Sequence, residues 1–367
     1  MKANVIALSD LHFGIKDTKS LFDELNNIFI PYINEKKFSN CIIAITGDTF
    51  DKRLSLNDEA SFLAIQFIDT LYKIAKSKDY QVRIILGTKT HDLSQLNVFD
   101  KYVDNTFKII RNVSVEKIND FKILYIPEEY VENPDEYYSD AFSDKYDFIL
   151  GHGTLSNCAF KNQKILSEKP IKTAPIFDSK VIKELVRYYA IFGHIHIHKK
   201  FNKILIPGSF TRWCHGEESD KGFLHIKVDT EKDSSKYIFI KNENAPEYKT
   251  LKMDEIEGET LEDKIKTINS LKKEIKNIRI SLDKDTTLTD IHLMKDLIKD
   301  DDNIKLETNV LDLLEDDDES NEYSFLTESN LPIESKIFKF IKRKYSTKIK
   351  KERILEYIAP VNNSEKD

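Results

Sequence analysis

An α/β fold, with strands and helices alternating in layers, is what this sequence predicts, and two patterns carry the expectation. Short apolar runs rich in β-branched residues recur at 5–8, 41–45, 82–86, 148–150 and 189–192, each ending at a small or polar residue. Between the first three runs, apolar residues return at helical spacing: Leu21, Phe22, Leu25, Ile28 and Phe29, then Leu63, Phe67, Leu71 and Ile74. Alternation of this kind implies stacked sheet and helix layers, with functional groups gathered where strands end and loops begin.

Each run leads into residues that carry chemistry. The first ends at Ser9-Asp10-Leu11-His12 and the second at Thr46-Gly47-Asp48-Thr49-Phe50-Asp51. The third reaches Gly87 and then His91-Asp92, the fourth Gly151-His152, and the fifth Gly193-His194-Ile195-His196. After Gly193 the pattern turns β-rich, with short alternating segments at 203–206, 222–228 and 236–240. Around Asn242-Glu243-Asn244-Ala245-Pro246 the character changes, which places a domain boundary near residue 248.

Residues 249–310 read as a small α/β unit, with a helix over 261–275, a strand over 278–282 and a second helix near 288–298. An acidic linker, 311–333, contains Glu315-Asp316-Asp317-Asp318-Glu319. In the tail, 334–367, Ile337, Phe338, Ile341 and Tyr345 form an apolar stripe among lysines, the pattern of an amphipathic basic helix.

With 367 residues, 40% hydrophobic and 32% charged, the chain has room for one large core and a smaller domain. No apolar stretch reaches membrane-spanning length and the N-terminus lacks a signal-peptide pattern, so the chain is expected in the cytoplasm with no membrane partner. Cys41, Cys158 and Cys214 are scattered without metal-finger spacing, which excludes a zinc ribbon and a disulfide framework. A net charge of −7 excludes coating nucleic acid by bulk attraction, so any DNA contact must be local or supplied by a partner.

Five of the nine histidines, His12, His91, His152, His194 and His196, cluster at these run ends. With Asp10 and Asp48 they form a nitrogen and oxygen donor set without thiolate, suited to manganese, iron or zinc and less to magnesium or calcium. Two metals need a bridging carboxylate, which Asp48 can provide through its two oxygens, at a metal separation of about 3.5–4 Å. Asp51 reads as a loop or orienting carboxylate behind a ligand histidine. His198 reads as a surface residue and Trp213 as loop packing, while His215, His225 and His292 have no ligand-like context.

The ordered set Asp10-x-His12, Gly47-Asp48-x-x-Asp51, His91-Asp92, Gly151-His152 and Gly193-His194-x-His196 resembles the calcineurin-like metallophosphoesterases, and among them the SbcD-type DNA-repair exonuclease subunits, including the phage recombination nuclease subunit. Ile206-Pro207-Gly208-Ser209-Phe210-Thr211-Arg212, then Gly216-Glu217-Glu218 and Lys221-Gly222-Phe223, resembles the nuclease branch in particular. That resemblance implies a layered α/β/β/α sandwich with a small α/β capping domain and a helical C-terminal tail. It implies two divalent ions, manganese foremost, with Asp10, His12, Asp48 and His196 on one and Asp48, His152 and His194 on the other. His91 would then stabilise the transition state or protonate the leaving oxygen.

The same resemblance implies double-strand exonuclease and single-strand endonuclease activity in DNA repair and recombination, in a bacterial cell or from a phage. The tail would dock on the coiled-coil root of an SbcC-type ATPase, and the catalytic domain would pair as a homodimer within a heterotetramer. One departure stands out. Gly87-Thr88-Lys89-Thr90-His91-Asp92 replaces the family's Gly-Asn-His-Asp, so the asparagine that would bind the second metal is missing. A hydroxyl of Thr88 or Thr90, or a water, takes its place and leaves that site weaker. Two other functions stay open on the residues alone: a phosphatase or phosphodiesterase of the same fold acting on other substrates, and a DNA-end-binding scaffold with a weakened metal site.

Overall fold

The computed structural model describes residues 1–15, 17–156, 174–272, 275, 277–282, 294 and 304–308. In chain order the strands are β1 (Lys2–Leu8), β2 (Cys41–Thr46), β3 (Gln81–Ile85), β4 (Phe107–Ile110), β5 (Ser114–Ile118), β6 (Phe121–Ile126), β7 (Tyr146–His152), β8 (Thr154–Ser156) and β9 (Ile176–Asp178). They continue as β10 (Val186–Gly193), β11 (Lys199–Phe201), β12 (Ile204–Ile206), β13 (Gly222–Asp229), β14 (Ser234–Lys241), β15 (Tyr248–Lys252), β16 (Asn277–Leu282) and β17 (Ile304–Thr308). The helices are α1 (Thr18–Glu24), α2 (Ile30–Glu35), α3 (Glu59–Lys78), α4 (Lys89–Asp92), α5 (Pro134–Tyr137), α6 (Ser179–Leu185) and α7 (Leu261–Leu271).

Successive side chains of a strand point to opposite faces, and here the two faces bury in different cores. Val5 and Ala7 of β1 share a core with Ile42 and Ala44 of β2, while Ile6, Leu8, Ile43 and Ile45 enter another. The first of these cores also receives Ile123 and Tyr125 of β6, Phe148 and Leu150 of β7 and Ile191 of β10. It is therefore shared by two sheets. One is ordered β14-β13-β1-β2-β3-β4, with β1 to β4 parallel and β13 and β14 antiparallel. The other is ordered β11-β12-β10-β7-β6-β5, parallel except at its two edges.

Each sheet carries a second core on its other face. On the first sheet, Leu21, Leu25, Phe29 and Ile33 meet Leu63, Phe67, Leu71 and Ile74 of α3. On the second sheet, Ile149, Ala190 and Phe192 meet Ile182 and Leu185 of α6. The α/β class expected from the sequence thus takes the form of two mixed six-stranded sheets with helices. In α3 the first-turn Glu59 and last-turn Lys76 and Lys78 complement the helix dipole, and Asp79, at φ 57°, ends it in the left-handed region.

Some expectations need correction. The helix implied by Leu21 to Phe29 is present but not uniform: α1 passes without a gap through a π-helical stretch, Leu25–Phe29, into α2. Pro31, which has no N–H to donate, sits in the first turn of α2, which accounts for the break in ordinary pairing. The helix expected over 261–275 ends at Leu271. The strands β4, β5 and β15 escaped the sequence pattern, because their apolar runs are short and cut by Lys108, Glu116 and Lys249.

The cationic side chain on the inner face of β3 has a built partner. Arg83 is 1% exposed. Its Nε and Nη2 reach Glu116 Oε2 and Oε1 of β5 at 2.8 and 3.0 Å, and its Nη1 donates to the carbonyls of Val82 and Thr106.

The chain divides into two units, Met1–Thr250 with Asn269–Arg279, and Leu251–Ile268 with Ile280–Asp367. In the second unit Met253, Ile256, Ile265, Ile268 and Met294 are buried. A three-stranded sheet has the order β15-β16-β17. The helix expected near 288–298, the linker 311–333 and the tail 334–367 lie outside the described residues. Among the described residues no helix is long and apolar enough to cross a membrane.

Candidate metal centre

Parallel strands bring their C-terminal ends to one edge of a sheet, and here the edges of both sheets meet. β1 and β2 run into Asp10, His12 and Asp48, while β7 ends at His152 and β10 leads into His194 and His196. Hydrogen bonds stitch the seam. Ser9 Oγ and His152 Nδ1 both donate to the Thr46 carbonyl, at 2.9 and 2.7 Å, and the His194 N–H donates to the Asp10 carboxylate at 3.1 Å. The Asp10 and His12 N–H groups donate to the Gly47 and Asp48 carbonyls at 3.1 and 3.0 Å.

The turns are tight. Asp10, His12, Asp48 and His194 take positive φ, at 53°, 51°, 49° and 94°. Gly47 lies at φ +89°, and a Cβ there would fall 2.0 Å from His152 Nδ1. At Gly193 a Cβ would fall 2.0 Å from the Thr46 carbonyl oxygen. Both glycines are required by the approach of the two sheets.

Three groups of side chains place one ligand atom each within 4.8 Å of one another and can hold a metal ion: Asp10, His12 and His196; Asp48, His152 and His194; and His12, Asp51 and His91. In the first group, His12 Nε2 lies 3.0 Å from His196 Nε2, and His196 Nε2 lies 3.8 Å from Asp10 Oδ1. In the second, His152 Nε2 is 3.2 Å from Asp48 Oδ2. The same Asp48 oxygen is 3.3 Å from His91 Nδ1, so Asp48 stands between the groups. Asp51 Oδ1 is 3.8 Å from His12 Nδ1.

His91 does not follow a strand directly. It sits on α4, six residues past the end of β3, with its N–H bonded to the Thr88 carbonyl at 2.9 Å. Asp92 fixes that turn by accepting the Phe50 and Gly87 N–H groups, each at 3.0 Å. Burial and the neighbouring Asp48 charge push the Asp92 carboxyl up to about 7 against those donors.

Nδ1 of His152 donates to a carbonyl, which turns its buried Nε2 toward the Asp48 and Glu128 oxygens. His12 Nδ1 is buried without a hydrogen bond. Burial disfavours a charged His152, yet the Asp48, Asp10 and Glu128 carboxylates outweigh it and hold the imidazole well above its ordinary range. His12 is driven well below that range by burial and by His196. Imidazole nitrogens and carboxylate oxygens gathered this closely, with no thiolate, fit a divalent cation.

Two carboxylates the sequence did not single out complete the surroundings. Glu217 accepts from His196 Nδ1 at 2.5 Å, from the Trp213 N–H at 3.0 Å and from the buried Lys221 ammonium at 3.3 Å. Against burial, His196 and Lys221 bring its carboxyl down to about 2. Lys221 also donates to the His196 carbonyl and Ser209 Oγ, both at 2.8 Å. Glu128, 2% exposed, follows β6 by two residues, and its Oε2 lies 3.6 Å from both His152 Nε2 and His194 Nδ1.

Glu128 does follow the apolar run Ile123-Leu124-Tyr125-Ile126, but an acidic residue after Pro127 reads equally as an ordinary loop residue. His198, expected at the surface, is half-buried: it stacks on Phe239 at 4.2 Å and bonds the Ile206 carbonyl at 2.8 Å. Trp213 packs against the first-sheet core and Arg212 donates to the Ser219, Ala245 and Pro246 carbonyls.

Glu217 orients His196 rather than reaching a metal position itself, so Glu217→Gln is expected to weaken manganese binding about 10–100-fold. The amide cannot balance Lys221, and titration calorimetry with manganese chloride reads the loss.

No protein-family model matches the sequence, and no curated protein matches it. Of the solved structures that match, one has a TM-score of 0.35 and 12% identity, over 65% of this chain and 99% of its own. A likeness that slight carries neither fold nor function across.

Proposed function

We propose that the chain is a two-metal phosphodiesterase acting on DNA, a nuclease of the SbcD type built on the metallophosphoesterase sandwich. The observation that carries this is the convergence of Asp10, His12 and His196 in one group and Asp48, His152 and His194 in another, with His91, which also groups with His12, 3.3 Å from Asp48. Divalent cations at these groups, manganese foremost, would supply Lewis acidity toward a phosphoryl oxygen and lower the pKa of an attacking water.

The protein's own part is orientation and proton handling. The Thr88 N–H holds Asp48 Oδ1 at 2.6 Å, which aims Oδ2 toward His91 and His152. His91, 5% exposed and held by α4, is the group placed to give a proton to the leaving oxygen. The stretch from Gly208 to Phe223, which resembles the nuclease branch, backs His196 through Glu217 and Lys221. An SbcC-type ATPase partner and a homodimer within a heterotetramer are proposed with it, on the resemblance.

The test is manganese-dependent cleavage of end-labelled linear duplex DNA beside a chromogenic phosphodiester. Cleavage of the duplex supports the nuclease. Hydrolysis of the small ester alone moves the assignment to a phosphatase or phosphodiesterase, and silence on both with the ATPase present leaves a DNA-end scaffold.

A further inference from the structure

Glu128 is buried where a carboxylate is costly. An ionised carboxyl removed from water loses several kcal/mol of hydration unless a cation or several donors replace it. Its hydrogen-bond donors among the described residues are two neutral hydroxyls, Tyr130 Oη at 2.8 Å and Thr88 Oγ1 at 3.4 Å. Among the described residues its ion-pair contacts are the imidazoles of His152 and His194 alone, with no lysine or arginine.

His152 gives its Nδ1 proton to Thr46, and its Nε2 faces the oxygens of Asp48 and Glu128, while His194 Nδ1 faces Glu128 as well. Two carboxylates gathered on the same pair of imidazoles repel one another unless positive charge lies among them. Ligand atoms bound to one cation at about 2.0–2.2 Å stand about 3–3.5 Å from their neighbours around it. The spacings here, 3.2 Å from Asp48 to His152 and 3.6 Å from Glu128 to each of His152 and His194, are close to those edges.

We propose that Glu128 is itself a metal ligand, completing the group of Asp48, His152 and His194 with a fourth, anionic oxygen. It stands where the chain has Thr88 instead of an amide side chain, and Thr88 Oγ1 touches both Asp48 Oδ2, at 3.2 Å, and Glu128 Oε2. The single threonine O–H can donate to one of these carboxylates at a time, and in this reading the Glu128 carboxylate replaces the missing donor. A site so built carries one more negative charge than an amide-bearing one and holds its cation more firmly, the reverse of the weakening expected from the sequence. The inference rests on the two-metal assignment proposed above.

The experiment is manganese binding to the full chain by calorimetry and by electron paramagnetic resonance, which distinguishes a spin-coupled manganese pair from isolated ions. Wild type, Glu128→Gln, Glu128→Ala and the exposed-site control Glu132→Gln are compared, with thermal melts in chelator to verify folding. The expected result is two ions and a coupled signal in wild type and Glu132→Gln, at least a tenfold loss of affinity for one ion in Glu128→Gln, and one uncoupled ion in Glu128→Ala. In chelator, Glu128→Gln should melt no lower than wild type, since the amide keeps the hydroxyl contacts and removes a crowded charge. Two coupled ions bound with unchanged affinity in both Glu128 variants would overturn the role of Glu128 while leaving the two-metal assignment standing. Fewer than two ions in wild type would overturn both.

Discussion

Replacing Asp48 with asparagine is expected to lower manganese-dependent phosphodiester cleavage by at least about a thousandfold, with the fold intact. The substitution keeps size and leaves an oxygen to accept the Thr88 N–H, but removes the charge that His91 and His152 face from either side. Burial alone would raise the Asp48 carboxyl, yet His152, His91 and His12 hold it well below the carboxylate range, so the anion is what the surroundings are built for. Single-turnover cleavage at saturating manganese, beside circular dichroism of both proteins, checks the expectation. Retention of more than a tenth of the rate would remove Asp48 from the bridging role.

The largest loss of stability is expected away from the metal groups, at Arg83→Met. Its guanidinium is buried, bonds Glu116 through two nitrogens and satisfies two backbone carbonyls, so removing it should cost about 3–5 kcal/mol. The pair also has a pH signature. Burial would raise the Glu116 carboxyl, but Arg83 and Lys108 bring it down to about 2 from an unfolded value near 4.5. Its contribution is therefore complete above about pH 4.5 and is lost as the pH falls through 2. Urea unfolding should show the gap between wild type and Arg83→Met at full size at pH 7 and narrowing at pH 3. A gap unchanged at pH 3 would mean that the arginine stabilises through its carbonyl contacts and packing instead. Replacing both partners, as Arg83→Met with Glu116→Leu, should recover much of the loss.

Much of the site was legible because strand ends in an α/β chain are marked by hydrophobic runs that stop abruptly. Asp10, Asp48, His152, His194 and His196 all follow that rule, and the structure brings them together. His91 was legible as a residue but not in its placement, since the turn from Gly87 to Asp92 is set by Asp92 accepting two N–H groups from different loops. Glu128 and Glu217 were obscured for a different reason. Acidic residues are common in loops, and only the burial of these two and their contacts with histidines distant in sequence reveal them. In the same way, β5 alternates weakly because Glu116 faces inward, where Arg83 meets it.

The left-handed backbone at Asp10, His12, Asp48 and His194 bears on how such a chain drifts under mutation. Each of these conformations costs roughly 1–3 kcal/mol in a residue with a side chain, and glycine or asparagine relaxes it. Exchange of these residues for glycine or asparagine would therefore relieve strain in the bare protein while thinning its donor set, so the centre holds its ligands at a cost that the sheets beneath it must cover.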